Sequence, residues 1–205
     1  MNMQWYLAFI AFGFATAGTP GPNNLILAGI AASRGLKRAL PAIFGVSLGF
    51  AFMIAAAGLG LADVLHAWPR AAFWMKVAGS AWLVYLAYRI ATTTPRLPGD
   101  AGADEIAGKP DNAPGFWHMA AFQWINPKAW SMVLAMMGVY AGHNIGYRED
   151  MLIMAALFAV IGTITAASWA LLGAFAGRIL NAAQLVWFNR VMALLLVASL
   201  ALMWR

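Results

Sequence analysis

The stretch "TPGPNN", residues 19–24, interrupts an apolar run without charged side chains that extends from residue 1 to residue 33. Its two prolines and its glycine would break any helix here, because proline lacks the N–H that a helix needs and glycine is a poor helix former. A second interruption, "NP" in "FQWINPKAW" at residues 122–130, lies in a later apolar run. The position of these breaks in apolar sequence is the feature that a fold must explain.

The composition indicates a membrane protein. The chain has 205 residues, of which 63% are hydrophobic and 10% are charged, and so few charges cannot cover a soluble domain of this size. Ala15-Thr16-Ala17 resembles a cleavage site, but no Lys or Arg precedes it and the apolar run continues beyond it. We therefore interpret the first run as a retained helix and not as a cleaved signal peptide. An all-α protein with six transmembrane helices is predicted, because six runs approach the roughly 20 residues that a spanning helix needs. These runs are 1–33, 39–62, 71–91, 115–142, 151–177 and 185–204.

The basic residues predict the orientation of these helices. The net charge of +6 comes from short connections between the runs, which is not the pattern of a nucleic-acid interface. By the positive-inside rule, the more basic side is cytoplasmic and both termini are periplasmic. That side carries Arg34, Lys37, Arg38, Arg89, Arg96, Lys109, Arg178 and Arg190, whereas Arg70, Lys76, Arg148 and Arg205 lie on the other side.

Residues 92–114 are predicted to form a cytoplasmic linker, since they are rich in proline and acidic residues and poor in apolar ones. The linker divides a single transmembrane domain, 1–205, into three-helix halves, 1–91 and 115–205. Three is an odd number, so the second half must enter the membrane from the opposite side. This arrangement predicts a 3+3 inverted repeat with broken helices 1 and 4.

Each half also carries a pair of glycines four residues apart in its second helix, and we expect both pairs to allow close helix packing. These pairs are Gly45 with Gly49 and Gly173 with Gly177.

Matched breaks in corresponding helices are typical of a transporter substrate site near the midplane. Asn126-Pro127 predicts a new helix start, and so does either Thr19-Pro20 or Gly21-Pro22. Free N–H groups and the positive ends of the helix dipoles would favour an anionic group such as a carboxylate there. Buried amides are candidates for the polar end of a zwitterionic amino acid. The predicted substrate-binding residues are Pro20, Gly21, Pro22, Asn23, Asn24, Gln123, Asn126, Pro127 and Lys128.

Lys128 is the one basic residue predicted to lie deep in the membrane, which makes it a functional candidate. Alternatively, it snorkels or bonds to loose carbonyls of the broken helix. A buried lysine that loses its proton could couple transport to H+. No Asp or Glu lies deep in any predicted helix, which argues against a cationic side chain on the substrate.

Other side chains give weaker signals. Trp124, Trp130 and Trp169 could hold an ammonium group by cation–π contact, but packing is the commoner use of membrane tryptophans. The three histidines are separated along the chain, so we expect no metal site and no cofactor; they are His66, His118 and His143.

Three motifs together resemble the LysE/RhtB amino-acid exporters over essentially the whole chain. They are "TPGPNN", "GVSLGF" at residues 45–50, and "NPKA" at residues 126–129. The resemblance implies efflux of amino acids across a bacterial inner membrane, driven by an ion gradient. With "VAGSAWLVYLAYRIATT" at residues 77–93, the chain is most similar to the cysteine/O-acetylserine subgroup, which implies a small neutral substrate. Phe50 stands where many members carry an acidic residue, which argues against a basic substrate and against the family's usual ion coupling.

Two other functions stay open at this point. An enzyme acting on lipid headgroups would need His, Asp or Glu clustered at one membrane face, and an assembly or channel protein would not require two matched breaks. The sequence also leaves open whether the chain forms a homo-oligomer.

Overall fold

The computed structural model describes residues 2–61, 69–92 and 113–203, and all regular secondary structure in these described residues is helical. The expected linker at residues 92–114 and His66 therefore lie almost wholly outside the described residues. Eight α-helices follow one another in the described parts: α1 Met3–Gly18, α2 Pro22–Arg34, α3 Leu36–Ala56, α4 Pro69–Ala91, α5 Phe116–Ile125, α6 Pro127–Val139, α7 Tyr147–Ile179 and α8 Ala182–Met203.

The structure confirms both predicted helix breaks. The first apolar run is divided into α1 and α2, and the fourth into α5 and α6. Of the two restart sites left open, Gly21-Pro22 is the correct one, because Gly21 is the N-cap and Pro22 is the first residue of α2. Asn126 caps α6, and its side chain accepts a hydrogen bond from the backbone N–H of Lys128.

A short π-helix, Ala57–Leu61, continues α3. Two described segments are long and apolar enough to cross a membrane by length and composition: Leu36–Gly60, which is α3 with most of this continuation, and α7. Both present large apolar side chains on the outer surface of the fold, which a lipid environment would cover. Examples are Phe44, Phe52, Val160 and Phe175. Six crossings of the membrane remain a prediction.

Buried apolar side chains form two separate clusters at opposite ends of α3 and α7. The α2 core contains residues of α2, α4, α5, the first half of α3 and the second half of α7, including Ile26, Ile43, Leu86, Phe122 and Ala170. The α1 core contains residues of α1, α6, the second half of α3 and the first half of α7, including Phe9, Met53, Val133, Met154 and Phe158. Both helix breaks lie where the two cores meet.

The predicted glycine pairs allow close backbone approach, but with different partners. A Cβ at Gly49 in the middle of α3 would lie 2.6 Å from the Cα of Ala120 in α5. A Cβ at Gly173 near the end of α7 would lie 2.6 Å from the Cα of Ala28 in α2. The pairs occupy different positions along their helices, so they explain packing and do not support the inverted repeat.

Gly173→Ala should destabilise the fold by about 1–3 kcal/mol, because the added methyl group would overlap the backbone of α2. Thermal unfolding of the purified protein in detergent measures this as a lower Tm. The matched control is Gly138→Ala, since a Cβ at Gly138 meets nothing within 4 Å. Equal Tm values for the two variants would contradict the proposed close contact of α7 with α2.

Candidate functional site

The carbonyl groups at the end of α1 have no backbone N–H donors from a following helical turn. Side-chain N–H groups from other parts of the chain donate to these carbonyls instead. The carbonyl of Ala17 accepts from Asn24 Nδ2 at 2.8 Å, and that of Gly18 accepts from Trp169 Nε1 at 3.2 Å. The carbonyl of Thr19 accepts from Asn24 Nδ2 at 2.9 Å. Because an unpaired carbonyl in apolar surroundings costs several kcal/mol, these bonds are what allows the chain to break here.

Lys128 connects the two helix breaks. Its Nζ donates to the carbonyl of Thr19 at 2.9 Å and lies 2.8 Å from Thr19 Oγ1. We call this contact between α6 and the end of α1 the lysine bridge. The side chain of Lys128 lies directly against Gly21, where a Cβ would be 2.9 Å from Nζ. A side chain at position 21 would therefore require the end of the Lys128 side chain to shift.

A second contact joins α2 to α5. Asn23 Nδ2 donates to Gln123 Oε1 at 2.9 Å, and Gln123 Nε2 lies 3.3 Å from Asn23 Oδ1. Gln123 Nε2 also donates to the carbonyl of Met119 at 2.7 Å. Gln123 is fully buried, so its amide depends on these partners. We call this reciprocal pair the amide bridge.

Between the two bridges lies a cavity of about 50 Å³ that opens to the outside at a mouth. Thr19 and Pro20 are exposed and Lys128 is half-buried, whereas Asn24, Gln123 and Asn126 are buried. The polar wall of the cavity, which we call the break wall, consists of residues next to the two helix breaks: Gly21, Pro22, Asn23, Asn24, Gln123, Asn126 and Lys128.

The rest of the lining comes mainly from the crossing of α3 with α7. Two hydroxyl residues, two aromatic rings and a glycine face the cavity there, together with two small apolar residues. Among the described residues, neither Asp nor Glu lines the cavity. We call this surface the α3–α7 wall: Val46, Ser47, Phe50, Phe158, Gly162, Thr165 and Ala166.

The structure brings together most of the residues that the sequence singled out. Seven of the nine predicted binding residues line the cavity, and they are the residues of the break wall. Pro20 is exposed next to the mouth. Pro127 begins α6, and its side chain lies outside the described part of the structure.

The tryptophans and the described histidines have other surroundings. Trp169 binds the end of α1, and Trp130 Nε1 donates to the carbonyl of Trp124 at 2.8 Å. His143 Nδ1 lies 3.0 Å from the carbonyl of Ala141. None of the three tryptophans lines the cavity, so their packing role fits the structure better than cation–π binding.

The α3–α7 wall was missed by sequence reasoning, apart from Phe50. Ser47 belongs to the "GVSLGF" stretch but was interpreted only through its glycines. Gly162 and Thr165 lie in a long apolar helix without any local break. The available signal was the run of small and hydroxyl residues "GTIT" at residues 162–165.

Comparison with known proteins agrees with the sequence motifs. The family model described as LysE type translocator matches residues 14–203. The chain is similar to proteins named cysteine/O-acetylserine efflux protein from Escherichia coli strain K12 and from Shigella flexneri serotype 5b. Each is 31% identical over 193 residues, which cover 93% of this chain and 92% of the relative. No solved structure matches the chain.

Proposed function

This chain belongs to the LysE family of translocators, and we propose that it exports small neutral amino acids or their derivatives across the bacterial inner membrane. The single observation that carries the proposal is a cavity at two helix breaks whose described lining combines one lysine with amide groups and includes no acidic side chain. The similarity to cysteine/O-acetylserine efflux proteins supports a substrate of this size and charge.

The family assignment excludes the alternative of a headgroup enzyme, because the family and the named relatives are transporters. A channel is the weaker alternative for a physical reason. The cavity lies between two packed cores, and an open pore through both would leave much of their buried apolar surface in water. A site that opens to one side at a time fits this arrangement better.

The lysine bridge suggests how a zwitterion would bind. An ammonium group has three donors, and among the described residues Thr19 accepts from Lys128 through its carbonyl and its hydroxyl. A substrate carboxylate would attract Nζ by a charge-assisted hydrogen bond, which is stronger than a neutral one. The substrate ammonium group would then take the Thr19 carbonyl that Lys128 releases. The substrate ammonium group thus replaces Lys128 as a donor to the Thr19 carbonyl, and this carbonyl keeps its hydrogen bonds.

The two bridges also suggest a mechanism of alternating access. The amide bridge connects α2 with α5 on the side of the α2 core, and the lysine bridge connects α1 with α6 on the side of the α1 core. We propose that each bridge closes the cavity toward one side of the membrane and that they open in turn as one half rocks against the other. The predicted inverted repeat belongs to this proposal.

The orientation in the membrane follows from the basic residues. Arg34 ends α2, Arg38 lies in the first turn of α3, and Arg178 lies in the last turn of α7. Because α2 packs on the end of α7, these charges share the α2 end of the fold, which we assign to the cytoplasm with six crossings and periplasmic termini. Lys128, the one basic side chain in the part of the cavity lining that the structure describes, is our candidate for coupling export to H+.

Expression of the chain in a sensitive bacterial strain should relieve the toxicity of small neutral amino acids, such as cysteine, and of O-acetylserine. The measurement is growth at graded concentrations, combined with the amount of amino acid in the medium. Lysine and glutamate serve as charged controls, and relief should be absent for them. Relief of lysine toxicity alone would contradict the proposed neutral substrate.

Lys128→Met should reduce export by about 10- to 100-fold, since a hydrogen bond to a charged group contributes about 1.5–3 kcal/mol. The control is Lys37→Met, which makes the same substitution at an exposed lysine away from the cavity. Both variants should reach the membrane in equal amounts, as measured by immunoblot. Normal export by Lys128→Met would remove the lysine from the binding site.

Cross-linking tests the alternating bridges without background, because the chain has no cysteine. The pair Asn23→Cys with Gln123→Cys, treated with a short bifunctional thiol reagent, should lose transport in proportion to the cross-linked fraction. Each variant is compared with itself before and after treatment, because both substitutions remove a group of the break wall. The corresponding single-cysteine variants, treated with the same reagent, measure the loss that comes from modification of one thiol alone. Full transport by a completely cross-linked pair would show that the amide bridge does not need to open.

A further inference from the structure

The two walls of the cavity differ in chemistry, which suggests a division of roles. The break wall carries the lysine and the amide groups, whereas the α3–α7 wall carries no charged residue. Every amino acid has the same ammonium and carboxylate groups, and the lysine and amides of the break wall suit these shared groups. The α3–α7 wall would then contact the side chain, which differs from one amino acid to the next.

The α3–α7 wall has a defined shape and polarity. The rings of Phe50 and Phe158 meet edge to face with their centroids 4.7 Å apart. The hydroxyl of Ser47 is held by Thr163 Oγ1 at 2.9 Å and by the carbonyl of Ile43 at 3.1 Å. Thr165 Oγ1 donates within α7 to the carbonyl of Ile161 at 2.9 Å. These contacts fix the side chains, so the surface is preorganised.

Gly162 lies in the middle of this wall. A Cβ at this position would be 3.4 Å from Phe158 Cδ1 and 3.4 Å from Ser47 Cβ, which is ordinary van der Waals contact. The close packing of α7 on α3 therefore does not require glycine here, in contrast to Gly173, where a Cβ would overlap the backbone of α2. Gly162 belongs to the cavity lining, so a methyl group at this position would add bulk to the cavity wall between Phe158 and Ser47.

We infer that the α3–α7 wall is the subsite for the substrate side chain and that Gly162 sets the largest side chain that it accepts. The inference rests on the proposed function, since it assigns specificity within the same cavity. The hydroxyl groups of Ser47 and Thr165 next to two phenyl rings suit a short side chain that is weakly polar and uncharged, such as a hydroxymethyl group or its acyl ester. A basic or acidic side chain would find no partner on this wall.

The test compares two neutral substrates that differ only in the side chain, which is a hydroxymethyl group in serine and its larger acetyl ester in O-acetylserine. Purified protein in proteoliposomes is assayed by counterflow of labelled serine and labelled O-acetylserine, and the ratio of their KM values is measured. Gly162→Ala should raise the KM for O-acetylserine relative to serine by about tenfold, because a methyl group in a filled pocket discriminates by that order. Phe50→Leu, which enlarges the same subsite, should shift the ratio in the opposite direction.

Gly138→Ala is the matched control, since it adds the same methyl group at an open position on α6, and it should leave the ratio unchanged. A wild-type protein that carries neither compound would overturn the proposed function and this inference with it. A wild-type protein that carries both, with ratios unaltered in Gly162→Ala and Phe50→Leu, would overturn the inference alone. A loss of folding would not shift the ratio of the two KM values in opposite directions in the two variants, so it would not account for the expected result.

Discussion

A helix that stops between two apolar cores must find hydrogen-bond partners for its last carbonyl groups. No water is present in hydrocarbon to supply them, and each unpaired group costs several kcal/mol. In this protein the carbonyls of Ala17, Gly18 and Thr19 receive side-chain donors from α2, α6 and α7. The end of α1 is thus stable only while three other helices are packed around it. The need to pair these carbonyls therefore fixes the positions of α2, α6 and α7 relative to α1.

The same constraint places polar chemistry at the boundary of the two cores. Asn24, Trp169 and Lys128 are needed as donors to the broken helix, and Lys128 adds a positive charge to the space beside it. In the proposed binding mode, a zwitterion replaces one of these donors because it brings its own ammonium group and carboxylate. The requirement for paired carbonyls would then connect the stability of the break with the recognition of an amino acid.

The contacts around the cavity differ in how easily they could rearrange. The glycine contacts between α7 and α2 and between α3 and α5 bring backbones together directly, and such packing does not change without displacement of whole helices. The lysine and amide bridges consist of side chains that can rotate. This difference supports a mechanism in which rigid helix pairs move together while a few polar contacts break and form between them.

Local sequence rules determined where the helices break and what begins them again. Proline and the Asn126 cap act through their own backbone and their nearest neighbours, so "TPGPNN" and "INPKA" could be interpreted without any tertiary contact. The apolar composition and the single lysine near the second break are likewise properties of the sequence alone. From these features the membrane class, the family resemblance and most of the break wall followed.

Only the tertiary structure decided which groups meet across the cavity. Asn23 and Gln123 are separated by 100 positions in the chain, and Trp169 reaches Gly18 from a helix that shows no break. The α3–α7 wall could not be predicted because Gly162, Ser47 and Thr165 lie in regular apolar helices, where a residue that faces a cavity looks the same as one that packs. Which side of a helix faces empty space depends on all its neighbours at once, and no local pattern of residues records that arrangement.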